Sequence, residues 1–240
     1  MIKEIFGQQF GIYDLDVPDE LNAKLVNLAY NINAESQFLS PAYSNRNPRQ
    51  SGYSENEHSY IGAHLGLLNR VHLFSSFPGE FIIDYVNPII KNYIDEIDQI
   101  ECSFPDLIPY VDRCWFTLMQ TNDAIGVHSH EDCGALSIAY YPDDMTDKGN
   151  LQIHSFNIDK KIHSYDPRFR NETIETKKSR LIIFPSHVHH GTIENLANVP
   201  RISYSMDVQF LGVETFIPPV ELVEQLHTSF RKQLDFIGEA

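Results

Sequence analysis

Between Gly126 and Tyr141 the chain reads GVHSHEDCGALSIAYY, and further on it reads FPSHVHHG. Side chains two residues apart in an extended segment point to the same side, so His128 and His130 can converge on one metal ion. A third ligand must then come from elsewhere, and the second stretch offers His187, His189 and His190. That cluster follows SRLIIFPS, an apolar strand ending in Pro and a small residue, which puts the histidines at a strand end. Strand ends around a barrel mouth are where a reactive ion is accessible to small molecules. The plain alternative is a surface or hydrogen-bonded pair, because a chain with 11 histidines contains such pairs by chance.

A second chemical feature opens RISYSMDV. Arg201, Ser203 and Ser205 alternate with Ile202, Tyr204 and Met206, so one face of this strand is polar and carries a cation while the other is apolar. An arginine pointing into a barrel interior needs a partner, since an unpaired buried charge is very costly. A carboxylate-bearing ligand would supply one through a bidentate salt bridge. The bland reading pairs Arg201 with a nearby surface acid.

The elements that must hold these groups follow from periodicity. Residues 1–18 read as one or two short strands. Pro18-Asp19-Glu20 then opens a helix with Leu21, Leu25, Leu28, Ala29 and Ile32 on one face. Residues 36–60, rich in Ser, Asn, Pro and Tyr, read as an ordered loop. A second helix is predicted over roughly 79–100. From Asp112 the texture changes to short β-branched or aromatic runs between turn residues: CWFTLMQ, GALSIAYY, NLQIHSF, SRLIIFPS and RISYSMDVQF. Pro218-Pro219 introduces a closing helix. No linker divides the chain, so a single domain over 1–240 is expected: strands and supporting helices in 1–111, a β core in 112–212 and a helix in 213–240. The class is α+β, mainly β, and without βαβ alternation a sandwich or jelly roll is favoured over a parallel sheet.

Composition narrows the function. The 240 residues carry a formal charge of -15, which works against binding to duplex nucleic acid or to anionic membrane surfaces. No apolar run reaches membrane-spanning length, and the acids near the start do not suit a signal peptide. Three cysteines without a CxxC spacing argue against a disulfide framework or a Cys-based zinc site, and a cytoplasmic location is the simplest expectation.

Taken together, HSHEDCGALSIAYY, Gly149-Asn-Leu-Gln-Ile and FPSHVHHGTIENLANVPRISYSMDV resemble the Fe(II)/2-oxoglutarate-dependent oxygenases. The likeness is to their prolyl-hydroxylase-like branch and to the oxygenases of this kind in bacteria and phages. It covers roughly residues 112–210, with the pieces in the right order. It implies a double-stranded β-helix, a cupin-like jelly roll, with the metal at its open end. By this resemblance His128, His130 and His190 hold Fe(II), with a swap of His189 for His190 left open. His187 and His189 are otherwise rim residues or sit behind the ligands. Arg201 holds the far carboxylate of 2-oxoglutarate, with Ser203 and Tyr141 beside it and Ser137 as a further contact.

His130 falls where related enzymes usually keep Asp. Asp132, of the same strand parity, is therefore the alternative second ligand, with Glu131 another, although both also read as an exposed acidic turn. The implied activity is hydroxylation of a peptidyl or free amino-acid-like substrate with 2-oxoglutarate and dioxygen, giving succinate and carbon dioxide. Loops at 36–60 and 155–175 would form the substrate rim. Two other readings remain: a three-histidine dioxygenase that does not use 2-oxoglutarate, and a non-catalytic jelly-roll binding protein. A homodimer through the last helix is also open.

Overall fold

The structure is a computed structural model that describes residues 1–39, 81–97, 108–131, 134–155 and 170–211. Strands β1 (Ile2–Ile5) and β2 (Gln8–Asp14) form an antiparallel hairpin. Its turn is Phe6-Gly7, both at positive φ (52° and 75°), the twist that a two-residue hairpin loop demands. Helix α1 (Asp19–Leu39) starts just after Pro18, with Asp19 and Glu20 in the first turn, where carboxylates favour the helix dipole. A π-helical turn (Ile82–Val86) runs directly into α2 (Asn87–Glu96), which carries a proline in its first turn.

The remaining strands are β3 (Ile108–Met119), β4 (Ile125–His128), β5 (Leu136–Tyr141), β6 (Leu151–Ser155), β7 (Arg170–Ile174), β8 (Arg180–Pro185), β9 (His189–Thr192) and β10 (Arg201–Leu211). They form two antiparallel sheets: a six-stranded one in the order β1-β2-β8-β5-β10-β3 and a four-stranded one in the order β4-β9-β6-β7.

The alternation in β10 divides the interior in two. Ile202, Tyr204, Met206 and Val208 join Cys114, Phe116 and Leu118 of β3 and Leu136, Ile138 and Tyr140 of β5 in a core closed by Leu21, Leu25, Ala29, Phe81, Ile90 and Tyr93 of the helical segments. The opposite face of the large sheet gives Phe10, Tyr141, Ile182 and Phe184 to a second core against Leu151, Ile153 and Ile174 of the small sheet. Helices thus cover one face and the small sheet covers the other.

Three buried tyrosines bolt the helices down. Tyr93 Oη donates to the Gln9 carbonyl (2.7 Å), Tyr204 Oη to the Leu25 carbonyl (2.7 Å) and Tyr140 Oη to Asn22 Oδ1 (2.6 Å). Asn22 is itself buried, and its amide donates to Ser179 Oγ at 2.9 Å. Among the described residues no helix is long and apolar enough to cross a membrane.

Several boundaries differ from those expected. The β body begins at Ile108, ahead of Asp112, because β3 continues along the full length of β10. Helix α1 runs to Leu39, so 36–39 are helical, and 40–60 lie outside the described residues. The 155–175 loop is bounded by a strand pair: Ser155 ends β6 and Arg170–Ile174 is β7, in register from Leu151↔Ile174 to Ser155↔Arg170. Its middle and the helix expected over 213–240 lie outside the described residues.

The tyrosine bolts yield a stability test. Tyr140→Phe leaves a buried amide oxygen without its donor and should cost about 1–3 kcal/mol in urea denaturation. Adding Asn22→Ala should then cost less than it does alone, because the acceptor left unsatisfied is removed with it. Additive losses would mean the bond does not couple helix to sheet.

Candidate metal centre

His128 ends β4 and pairs in register with His190 of β9, so the two rings meet across one strand pair. Gly191 permits that closeness, because a Cβ there would lie 2.7 Å from the Ile125 carbonyl oxygen. His130 lies past the end of β4, where its backbone N–H donates to the Ser186 carbonyl at 2.8 Å. This tie to the end of β8 brings the third ring in. Ring centroids are 4.4 Å apart for His128–His190 and 5.1 Å for both His128–His130 and His130–His190. Phe184 meets His190 edge-on at 4.9 Å, and Trp115 of β3 lies 5.5 Å from His130.

The hydrogen bonds behind the rings fix what the fronts can do. His128 Nδ1 lies 2.9 Å from the Gly126 carbonyl oxygen, and His190 Nδ1 lies 2.9 Å from that of Val188. Carbonyl oxygens only accept, so Nδ1 carries the proton in both rings and Nε2 keeps its lone pair. His130 Nδ1 lies 2.9 Å from Oδ1 of Asp207, a carboxylate only 1% exposed, which gives the same tautomer. Burial, first of all, pushes the half-buried His128 down to about 4, with Asp207 among the influences holding it up. Burial likewise drives His190 well below the ordinary histidine range, reinforced by its two neighbours.

This set fits a metal ion. One ligand atom from each of His128, His130 and His190 lies within 4.8 Å of the others. Three atoms so spaced fit around a centre about 2.8 Å away, and inward shifts of under about 1 Å reach a typical ~2.1 Å metal–imidazole length. Neutral imidazoles with Nδ1–H bonded to an oxygen are the form in which histidine ligates.

The other predicted residues divide between two neighbourhoods. Arg201, 1% exposed, opens β10 and donates through Nη1 to Ser203 Oγ at 3.0 Å and towards Met119 Sδ at 3.4 Å. Its guanidinium carbon lies 5.2 Å from the Tyr141 ring centroid. Burial raises the Tyr141 hydroxyl pKa, and the Arg201 charge pulls it back. Arg201, Ser203 and Tyr141 thus form one group. Ser137 belongs to the other: its Oγ lies 3.3 Å from His130 Nδ1 and 3.1 Å from Ser186 Oγ.

His189, the alternative to His190, occupies the adjacent position on β9 and pairs in register with His154 of β6. His187 is exposed and contacts Gln8 Oε1 at 3.1 Å. Glu131 is exposed, and Asp132 lies outside the described residues. Sequence reasoning missed Asp207 and Trp115. The signal for Asp207 was present, since it continues the polar alternation of Arg201, Ser203 and Ser205.

Residues 113–207 match a family described as "Putative 2OG-Fe(II) oxygenase". Among solved structures, AviO1 from Streptomyces viridochromogenes Tue57 is similar over 88% of this chain and 92% of its own, at 10% identity and a TM-score of 0.52. EctD from S. alaskensis, with 2-oxoglutarate and 5-hydroxyectoine, is similar over 85% of this chain and 72% of its own, at 12% identity and a TM-score of 0.52. At these identities the likeness is one of fold. Against a 2OG-Fe(II) oxygenase family oxidoreductase from Burkholderia pseudomallei, the chain spans 55% of that protein, at 11% identity and a TM-score of 0.40. No curated protein matches the sequence. The stretch that carries the three histidines and Arg201 is the part of the chain that is similar to this oxygenase family.

Proposed function

We propose that this protein is an Fe(II)/2-oxoglutarate-dependent oxygenase that hydroxylates a small or peptidyl amino-acid-like substrate. The observation that carries this reading is the convergence of three imidazoles, from two neighbouring strands and the turn after one of them, in the fold that also buries Arg201. We take the two sheets to close as a double-stranded β-helix, with His128, His130 and His190 at its open end. The substrate class draws on likeness alone: the EctD structure holds a small hydroxylated compound, 5-hydroxyectoine, beside 2-oxoglutarate.

Each residue then has a task. His128, His130 and His190 hold the ion through Nε2, each aimed by the oxygen behind it. The Arg201 guanidinium binds the distal carboxylate of 2-oxoglutarate in the bidentate manner that suits its planar fork. Ser203 steadies the guanidinium through their 3.0 Å bond, and Tyr141 walls it off with its ring. Burial of this group removes competing water and strengthens the ion pair. When bound, iron with 2-oxoglutarate and dioxygen supplies the oxidation: the 2-oxo acid becomes succinate and carbon dioxide, and one oxygen atom enters a substrate C–H bond.

The direct test is anaerobic titration with Fe(II) and 2-oxoglutarate, followed by exposure to oxygen. A visible metal-to-ligand charge-transfer band and succinate formation are expected. Dioxygen consumption without succinate would place the protein among three-histidine dioxygenases, and neither band nor consumption would leave a binding protein. Arg201→Ala should weaken 2-oxoglutarate by about 2 kcal/mol or more, about 30-fold, with iron retained. Unchanged cosubstrate affinity would remove Arg201 from the site.

The depressed histidines also set a pH dependence for the metal-free fold. Between about 4, the folded value for His128, and about 6.5, the ordinary value, the unfolded chain binds protons that the folded chain excludes. The stability these groups contribute is therefore complete above that window and lost as pH falls through it. Urea denaturation at pH 7 and pH 5 should show this loss, and a His128→Gln/His190→Gln variant should show less of it. Equal losses in both proteins would contradict the assignment.

A further inference from the structure

Three imidazoles bring no charge to a divalent ion, so a site built from them alone leaves the full positive charge in a partly buried place. What stands behind each ring is therefore informative. His128 and His190 are backed by neutral backbone carbonyls, whereas His130 is backed by the carboxylate of Asp207 at 2.9 Å. Asp207 is 1% exposed, an arrangement that costs several kcal/mol for a lone carboxylate and calls for nearby positive charge or strong donors. Its surroundings are built to present it. It is the fourth member of the polar face of β10, opposite Ser137 of β5. The β3–β10 register slips beside Asp207, with the extra residue on β3, while Asp207 stays in unbroken register with β5. Ser137 Oγ bridges from His130 Nδ1 towards Ser186 Oγ.

Resting on the metal reading above, we infer that Asp207 is the positioning residue of the metal centre: its carboxylate fixes the His130 ring with Nε2 towards the ion and supplies, from behind that ring, the negative charge that three neutral ligands lack. A carboxylate accepting from Nδ1–H makes the opposite nitrogen a stronger donor, so charge reaches the ion through the imidazole rather than by direct contact. The rival role is structural. On that reading Asp207 would serve the packing of β10 between β3 and β5 without serving the metal.

Anaerobic Co(II) titration, read by its visible spectrum, separates these roles in four proteins: wild type, Asp207→Asn, His130→Asp and the double variant. Asp207→Asn keeps the shape and an acceptor oxygen but removes the charge. It should weaken Co(II) about 10–100-fold. With His130→Asp the ligand position itself holds a carboxylate, and the charge of Asp207 now opposes it. Asp207→Asn should therefore leave affinity unchanged or raise it in that background. A loss of similar size in both backgrounds, or unchanged affinity in the His130 protein, overturns the inference. So does an Asp207→Asn variant too unstable to titrate, since that assigns Asp207 to the fold. Wild type that binds no Co(II) instead sinks the metal reading itself.

Discussion

A strand buried on both faces must meet two different environments at two-residue intervals, and β10 is where this chain does so. Ile202, Tyr204, Met206 and Val208 are buried among apolar side chains and helices. Arg201, Ser203 and Asp207, equally buried, belong to the opposite parity. A register slip of one residue would exchange these sets, placing a guanidinium and a carboxylate in the apolar core. The pairings with β3 and β5 hold that register, from Arg201↔Met119 to Val208↔Leu136. The chemistry of the interior therefore depends on the same contacts that hold the fold together.

The polar face is organised in two places rather than one. Arg201 and Asp207 stand six residues apart on one strand, on the order of 20 Å along it. Tyr141 and Ser203 accompany the first, while Ser137 and His130 accompany the second. The three histidines of the opposing sheet and its following turn complete the second group. Under the proposed function, a cation near one end and an anion near the other would suit a dianionic cosubstrate at Arg201 and a dication at the histidines. Under the proposed function, the burial that lowers the His128 and His190 pKa values would also make the metal-free protein pH-sensitive, so readiness to ligate would come at some cost in stability.

Much of this was legible in the sequence because two-residue periodicity is a local property. The split of β10 into polar and apolar faces follows from RISYSMDV without any coordinates. Parity also brings His128 and His130 towards one side, although the observed reason differs: β4 ends at His128, and a backbone bond to Ser186 brings the His130 ring in. The choice between His189 and His190 was not local. Adjacent residues on a strand face opposite ways, and only the cross-strand register His128↔His190 decides between them. Asp207 was missed for the same reason, because its role depends on a residue 77 positions earlier in the chain. The short strands β4, β7 and β9 lack the apolar runs that mark strands, and they are held by pairing rather than by propensity.

The account stands on three imidazoles sharing one ion. X-ray absorption at the iron edge of the anaerobic Fe(II) protein counts imidazole ligands through their multiple-scattering pattern. Three histidines in the wild-type protein and two in His130→Ala are the expected result. Two in both proteins would contradict the account and pass the second ligand position to a neighbouring carboxylate.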